Sequence, residues 1–175
     1  MRNVILIILF VAIVSGCGKK STEPSSDIIF FDSFENFAGR PELSGWEWVW
    51  DEGTLVYDAP AGGGLWSLEL HSSPYIGEPG IAIRELNPPQ EDGIYRFSAW
   101  VKSDCEASIH WLIRTGNDNY QMNHATTFES GWTMISITDT LSLEGCDLFE
   151  IVLTAGCDSS VGPNYFDMVK LEKLD

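Results

Sequence analysis

The chain has 175 residues, of which 44% are hydrophobic, so it is long enough to form one domain with a real core. Its 26 acidic and 10 basic residues give a formal net charge of −16. This charge argues against nucleic acid as a partner, because phosphate binding requires a basic surface. The acidity instead favours solubility or cation binding.

The N-terminus has the features of a secretory signal. Met1 and Arg2 precede an apolar run over residues 4–14, and small residues follow it. The run is too short for a membrane-spanning helix. The sequence VSGC at 14–17 resembles the bacterial lipobox, in which the cysteine is lipidated and becomes the mature N-terminus. The alternative is a plain signal peptide, residues 1–16, whose exit happens to contain a cysteine.

The lipobox resemblance implies a mature protein that begins at Cys17 and carries acyl chains such as palmitate. The polar residues 17–26 then form a flexible tether, and residues 27–175 form the folded domain. Such an anchor attaches a protein to a membrane without spanning it. Gly18 is not the aspartate associated with inner-membrane retention, which favours the outer membrane or the surface of a bacterial cell envelope.

Short strands follow one another at spacings of about ten residues, with turn residues between them. No stretch shows a sustained helical period. The pattern predicts an all-β protein, an antiparallel β-sandwich or barrel. The predicted strands are 28–34, 45–50, 54–57, 65–71, 81–86, 94–102, 108–114, 120–128, 132–140, 148–154 and 165–171.

Residues 94–114 contain two strands with strict alternation, joined by a polar turn at 103–106. Positions 95, 97, 99 and 101 are apolar in the first strand, and positions 109, 111 and 113 repeat the pattern in the second. Each strand therefore buries one side. If the two strands pair, their outward sides form one surface, which carries Arg96, Ser98, Trp100, Lys102, Ser108, His110 and Arg114.

Trp100 on this surface has two interpretations. A lone aromatic ring among hydrogen-bonding side chains can stack on the apolar face of a sugar. Alternatively, Trp100 is the solvent-side aromatic of an ordinary sheet, kept soluble by its basic neighbours. The sequence leaves both interpretations open.

Three cysteines remain after lipidation of Cys17, so one stays unpaired. Cys146 and Cys157 flank the strand 148–154, whose ends lie too far apart for a disulfide at about 3.3 Å per residue. If strands alternate up and down, the turns that hold Cys105 and Cys157 lie at the same end of the domain. We therefore predict a Cys105–Cys157 disulfide and an unpaired Cys146.

The alternation also indicates, less clearly, which tryptophan and histidine side chains are buried elsewhere in the chain. Trp46, Trp48 and Trp50 share one side of their strand. The sequence favours a core position for Trp46 and leaves the other two open. His124 shares its side of the strand with apolar residues, so we expect a packed histidine.

Six short motifs follow one another along the chain: FE at 34–35, GW at 45–46, SL at 67–68, YRFSAWVK at 95–102, Trp132, and FDMVKL at 166–171. In this order they resemble the carbohydrate-binding modules of the CenC type, families 4, 9 and 22, which have galactose-binding-like jelly-roll domains. The resemblance covers nearly all of the mature chain. It implies two five-stranded antiparallel sheets, a structural calcium ion, and a glycan groove on the concave sheet or at the loops.

The resemblance also suggests residues for these sites. Calcium would be bound where the first and last strands meet, by Asp32, Glu35 and Asp167, although Met168 stands where the family has a second aspartate. The alternative is that these are ordinary surface carboxylates. For a polysaccharide or oligosaccharide, the resemblance implies a groove formed by Trp100, Lys102, His110, Arg114, Gln121 and Asn123, closed by Tyr120 or one of Trp48, Trp50 and Trp66.

No catalytic arrangement stands out in the sequence. The acidic residues fall mainly in turns, and the three histidines lack metal-ligand spacing. We therefore expect a monomeric, non-enzymatic, carbohydrate-binding lipoprotein that contacts the membrane only through its lipid. The alternative is an envelope or cell-surface lipoprotein whose jelly roll mediates protein interaction or has a structural role.

Overall fold

The computed structural model describes residues 26–35, 43, 45–49, 53–72, 78–116, 119–156 and 162–175. In this part of the chain no helix is long and apolar enough to cross a membrane. All eleven predicted strands are confirmed. Their bounds are β1 (Ser26–Asp32), β2 (Glu47–Val49), β3 (Thr54–Val56), β4 (Ser67–Leu70), β5 (Gly80–Leu86), β6 (Gly93–Ser103), β7 (Ala107–Thr115), β8 (Asn119–Thr127), β9 (Thr133–Leu141), β10 (Cys146–Ala155) and β11 (Asn164–Leu174).

The strands form two antiparallel sheets that pack face to face, so the predicted all-β sandwich with a jelly-roll fold is confirmed. A six-stranded sheet has the order β3-β4-β11-β6-β9, with β1 pairing to β11 as well. The other sheet has five strands in the order β2-β5-β10-β7-β8. The expectation of two five-stranded sheets is therefore wrong for one of them.

The core lies between the sheets and follows the alternation of the sequence. Phe97 on β6 and Trp111 on β7 are fully buried, as are the other apolar residues of matching parity on both strands. Trp46 is 4% exposed, which confirms its predicted core position. Trp48 lies opposite Ala82 of β5 and also packs against the core.

The predicted pairing of the two central strands is wrong, because β6 and β7 belong to different sheets. β6 pairs with β9 and β11, and β7 pairs with β8 and β10. The turn at 103–106 carries the chain from one sheet to the other. Its backbone is held on both sides, since the Ser103 amide donates to the Glu129 carbonyl at 2.9 Å and the Gly156 amide donates to the Glu106 carbonyl at 3.0 Å.

The last strand is irregular at its centre. Its register with β6 shifts between Asp167 and Lys170. Met168 has a φ of 47°, which is uncommon for a residue other than glycine. This bulge separates the part of β11 that pairs with β4 from the part that pairs with β1.

The cysteines are partly described. Cys105 is disulfide-bonded, whereas Cys146 is free and half-buried, as expected. Cys157 lies outside the described residues, so the Cys105–Cys157 pairing stays a prediction. The signal, Cys17, the tether up to residue 25, and Trp50 also lie outside them.

Candidate functional site

The seven residues predicted to bind a glycan do not form one surface. They divide between the outer face of the five-stranded sheet, the inner face of that sheet, and the outer face of the six-stranded sheet. The division follows directly from the separation of β6 and β7. The predicted grouping is therefore wrong, although β6 and β7 each turn the expected side toward the core.

Three of the seven meet on the outer face of the five-stranded sheet. Directly opposed residues on neighbouring strands share a face, and His110 of β7 lies opposite His124 of β8. Arg114 lies between Tyr120 of β8 and Leu148 of β10. The Tyr120 side chain is 53% exposed. This face thus places an accessible aromatic ring beside charged and polar groups.

Hydrogen bonds hold the polar side chains of this face in place. His110 Nε2 lies 2.7 Å from the Thr154 hydroxyl oxygen. Burial lowers the pKa of His110 below its ordinary value of 6.5, with a smaller effect from His124. The imidazole is therefore neutral at pH 7. Arg114 Nε donates to Asp147 Oδ1 at 2.9 Å, which fixes the guanidinium beside the tyrosine.

A carboxylate that the sequence analysis missed lies on the same face. Glu150 of β10 lies between Glu85 of β5 and Leu112 of β7. Burial raises the pKa of Glu150, and the nearby Glu85 and Glu47 add to the effect. The sequence did contain a signal, because Glu150 is the one charged residue in the apolar strand 148–154 and has outward parity.

The packed position predicted for His124 is wrong. Its side chain is exposed, and the neighbouring Met122 is 66% exposed. The reason is that β8 is an edge strand whose outward side carries these residues. His124 therefore adds a second imidazole to the outer face, opposite His110.

Gln121 and Asn123 point to the inner side of the five-stranded sheet. They lie opposite Ile113 and Trp111, both fully buried. Asn123 Nδ2 donates to Asp139 Oδ2 of β9 at 3.2 Å, which links the two sheets at their edge. Neither residue lies on the predicted glycan surface.

Trp100 and Lys102 lie on the outer face of the six-stranded sheet, across the sandwich from His110. Trp100 is half-buried and borders an open pocket of about 400 Å³. Lys102 Nζ lies 2.6 Å from Asp58 Oδ2 and 4.9 Å from the centre of the Tyr165 ring. Lys102 is therefore held in a separate surface cluster.

Solved structures match this chain, whereas no protein-family model and no curated protein matches it. The tandem CBM22-1–CBM22-2 domain of Paenibacillus barcinonensis Xyn10C aligns with a TM-score of 0.63 at 15% sequence identity. The alignment covers 83% of this chain and 50% of that one, so this chain spans about half the length of the tandem structure.

Two single modules align over almost their whole length. The CBM22-1 xylan-binding domain of Paenibacillus barcinonensis Xyn10C has a TM-score of 0.62 and 14% identity, with 87% of this chain and 97% of that one covered. A family 16 carbohydrate-binding module has a TM-score of 0.61 and 19% identity, with 83% and 99% covered. The fold is that of carbohydrate-binding modules. At these identities the likeness concerns the fold, and the ligand follows from the side chains.

The three carboxylates predicted as metal ligands lie close together in this module fold. Asp167 is fully buried, and its Oδ2 has no hydrogen-bond partner among the described residues. Glu35 Oε1 accepts hydrogen bonds from the amides of Leu65 and Trp66 at 2.6 and 2.7 Å. Asp32 accepts from the Phe34 amide at 2.8 Å through Oδ1 and from the Trp46 indole at 3.0 Å through Oδ2.

The loop that contains Gly63 and Gly64 can lie against the Asp167 and Glu35 carboxyl groups because glycine has no side chain. A Cβ at Gly63 would collide with Asp167 Oδ2, and a Cβ at Gly64 would collide with the Glu35 carboxyl group. Gly64 also has a φ of 100°, which a larger residue rarely adopts. Even so, no group of three or more His, Cys, Asp and Glu side chains among the described residues is arranged to hold a metal ion as it stands.

Burial raises the pKa of Asp167 to about 7. The hydrogen bond from the Met168 amide opposes this rise, and the nearby Glu35 and Asp32 add smaller increases. The folded state therefore holds the proton more tightly than the unfolded chain, in which the pKa is near 3.8. Without divalent cations, this carboxyl makes the fold less stable as the pH rises from about 4 to about 7.

We therefore expect Asp167→Asn to stabilise the chelator-treated protein at pH 8 by roughly 1 to 4 kcal/mol and to have little effect at pH 4, because asparagine has no charge to bury. Urea unfolding at both pH values measures the difference. The matched control is Asp104→Asn at an exposed position. A gain that is equal at both pH values would contradict the burial argument.

Proposed function

We propose that this protein is a non-catalytic glycan-binding lipoprotein whose binding surface is the outer face of the five-stranded sheet. The main observation behind the proposal is that the Tyr120 ring is exposed and lies beside Arg114. Asp147 holds the Arg114 guanidinium in place. The fold supports it, because similar solved structures are described as carbohydrate-binding modules, one of them as a xylan-binding domain.

The face offers the two kinds of contact that a sugar requires. Tyr120 presents an apolar ring on which the hydrophobic side of a pyranose can stack, a contact of about 1 kcal/mol beyond area burial. Arg114 donates to hydroxyl oxygens, and Glu150 accepts from hydroxyl groups. The neutral His110 can do either through its second ring nitrogen. Because hydrogen bonds already fix the Arg114 and His110 side chains, ordering them on binding has a small entropy cost.

Affinity electrophoresis on plant and bacterial polysaccharides, followed by a glycan array, tests this surface. We expect Tyr120→Ala and Arg114→Ala each to weaken glycan binding by about tenfold, since each removes a principal contact. Trp100→Ala on the opposite sheet is the matched control and should bind like the wild type.

The reverse result, loss with Trp100→Ala and retention with Tyr120→Ala, would refute the proposed face and move the glycan to the other sheet. Absence of any glycan ligand for the wild type would favour the alternative, a jelly-roll lipoprotein that contacts proteins. The apolar Leu112 and Met122 on the same face are compatible with that alternative.

We further propose that Asp32, Glu35 and Asp167 hold a structural calcium ion. Asp167 Oδ2 is a buried carboxylate oxygen with no hydrogen-bond partner in the described part of the chain, and a cation would neutralise its charge. Calcium is bound by several hard oxygen ligands, and three neighbouring carboxylates provide that chemistry. Such an ion would fasten β1 to the bulge of β11.

Thermal unfolding with and without calcium tests this site. We expect millimolar calcium to raise the melting temperature of the chelator-treated wild type at pH 8 by several degrees, because a ligand that binds only the folded state stabilises it. Asp167→Asn should abolish most of that gain, while Asp104→Asn should keep it. An equal gain in all three proteins would contradict a calcium site at Asp167.

The lipid anchor completes the proposal. We propose that Cys17 is lipidated and that the chain is held at the bacterial cell envelope, on the outer membrane or the cell surface, by residues 17–26. Metabolic labelling with an alkyne palmitate in a bacterial host, followed by membrane fractionation, tests it. We expect label and membrane association for the wild type and neither for Cys17→Ala. Equal labelling of both proteins would exclude Cys17 as the anchor.

A further inference from the structure

The pocket at Trp100 lies on the outer face of the six-stranded sheet and belongs to neither proposed site. Its volume of about 400 Å³ is within the range of small-molecule sites. Apolar side chains from four strands line it, and no acidic residue is among the described residues that border it. The apolar members are Ile28 and Phe31 of β1, Ala99 and Trp100 of β6, Met134 of β9 and Met168 of β11.

The apolar side chains around this pocket are unusually accessible. Ile28 is 62% exposed, Phe31 is 49% exposed and Met134 is 59% exposed. A single exposed apolar residue is ordinary, but several that border one concavity indicate a ligand or partner. The two methionines add adaptable, polarisable walls next to the indole ring.

One side of the pocket carries an excess of positive charge. The Glu172 side chain is only 1% exposed, and a single oxygen, Oε1, lies 2.6 Å from Arg96 Nη2 and 3.1 Å from Lys170 Nζ. Two cations thus face one carboxylate in a chain whose formal net charge is −16. The side chains of Arg96 and Lys170 remain 42% and 29% exposed, so both can reach a ligand.

The bulge of β11 shapes the pocket wall. The bulge includes Met168, whose backbone is left-handed, and the side chains of Asp167 and Met168 face opposite surroundings, as successive residues of a strand do. Asp167 is fully buried near Glu35, whereas Met168 lines the pocket. A residue other than glycine in this conformation is strained, and such residues cluster at functional sites.

We infer that this pocket binds a small amphipathic monocarboxylate. Its aliphatic or aromatic body would lie against Trp100 and Met134, and its carboxylate would reach Arg96 and Lys170. The apolar walls would contact the hydrocarbon part of this ligand, and the local excess of positive charge would bind its carboxylate. The site is on the opposite side of the sandwich from the proposed glycan face and does not depend on it.

Isothermal titration calorimetry with decanoate and decyltrimethylammonium tests this inference on the purified protein. The two probes share an alkyl chain and differ in charge, and both are used below their micelle concentrations. At about 0.15 M salt the remote acidic residues are largely screened. We expect decanoate to bind at least about tenfold more tightly, because charge-assisted contacts to Arg96 and Lys170 are available only to the anion. Absence of decanoate binding, or equal affinity for the two probes, would overturn the inference.

Variants assign the binding to the pocket. Trp100→Ala should weaken decanoate binding by about fivefold or more through lost apolar contact. Lys170→Gln leaves the Arg96–Glu172 pair intact and should reduce the preference for the anion to about threefold or less. Tyr120→Ala is the control and should bind decanoate like the wild type. Circular dichroism and thermal unfolding establish that each variant is folded.

Other occupants give distinguishable results. If Trp100→Ala leaves decanoate affinity unchanged, the anion binds elsewhere and the inference fails. A concentration-dependent dimer in sedimentation that Trp100→Ala disrupts and decanoate does not would assign the pocket to a second copy of the chain. Loss of glycan binding in Trp100→Ala alone would assign it to a sugar. Each of these outcomes contradicts the monocarboxylate site.

Discussion

The structure depends on β6 and β7 burying their apolar sides against the same core from opposite sheets. Phe97 and Trp111 are both fully buried, yet their strands share no ladder. The three residues between these strands, 104–106, must therefore cross the sandwich, and backbone hydrogen bonds hold the crossing in place. Because each strand has a paired neighbour on both sides in its own sheet, this crossing determines which side chains can meet on the surface.

The crossing produces two outer faces with different chemistry. The five-stranded sheet displays carboxylates, two imidazoles, an arginine and the exposed ring of Tyr120. The six-stranded sheet displays an apolar pocket bordered by Arg96 and Lys170, which both contact the buried carboxylate of Glu172 behind them. The bulge at Met168 connects the second face to the buried carboxylates, since Asp167 turns inward next to a pocket-lining residue.

Alternation in the sequence reveals which side of a strand is buried, but not which strand is its neighbour. The alternation predicted the buried positions of 94–102 and 108–114 correctly. It did not predict which strands these two pair with, because a short turn can connect either two paired strands or two strands in different sheets. Asn123 and His124 were misassigned for a related reason. β8 is an edge strand, so its inner side lies at the border of the core, where polar residues such as Asn123 are tolerated. Apolar residues such as Met122 remain exposed on its outer side. A methionine gives no sign of the left-handed backbone at Met168.

Nuclear Overhauser effects between backbone protons test the separation of β6 and β7 most directly. We expect cross-strand contacts from Phe97 to Leu171 and Ile137, and from Trp111 to Ile151 and Asn123. Such contacts would confirm that the Trp100 and His110 faces lie on opposite sides of the sandwich. A continuous ladder of cross-strand effects between β6 and β7 would contradict that arrangement.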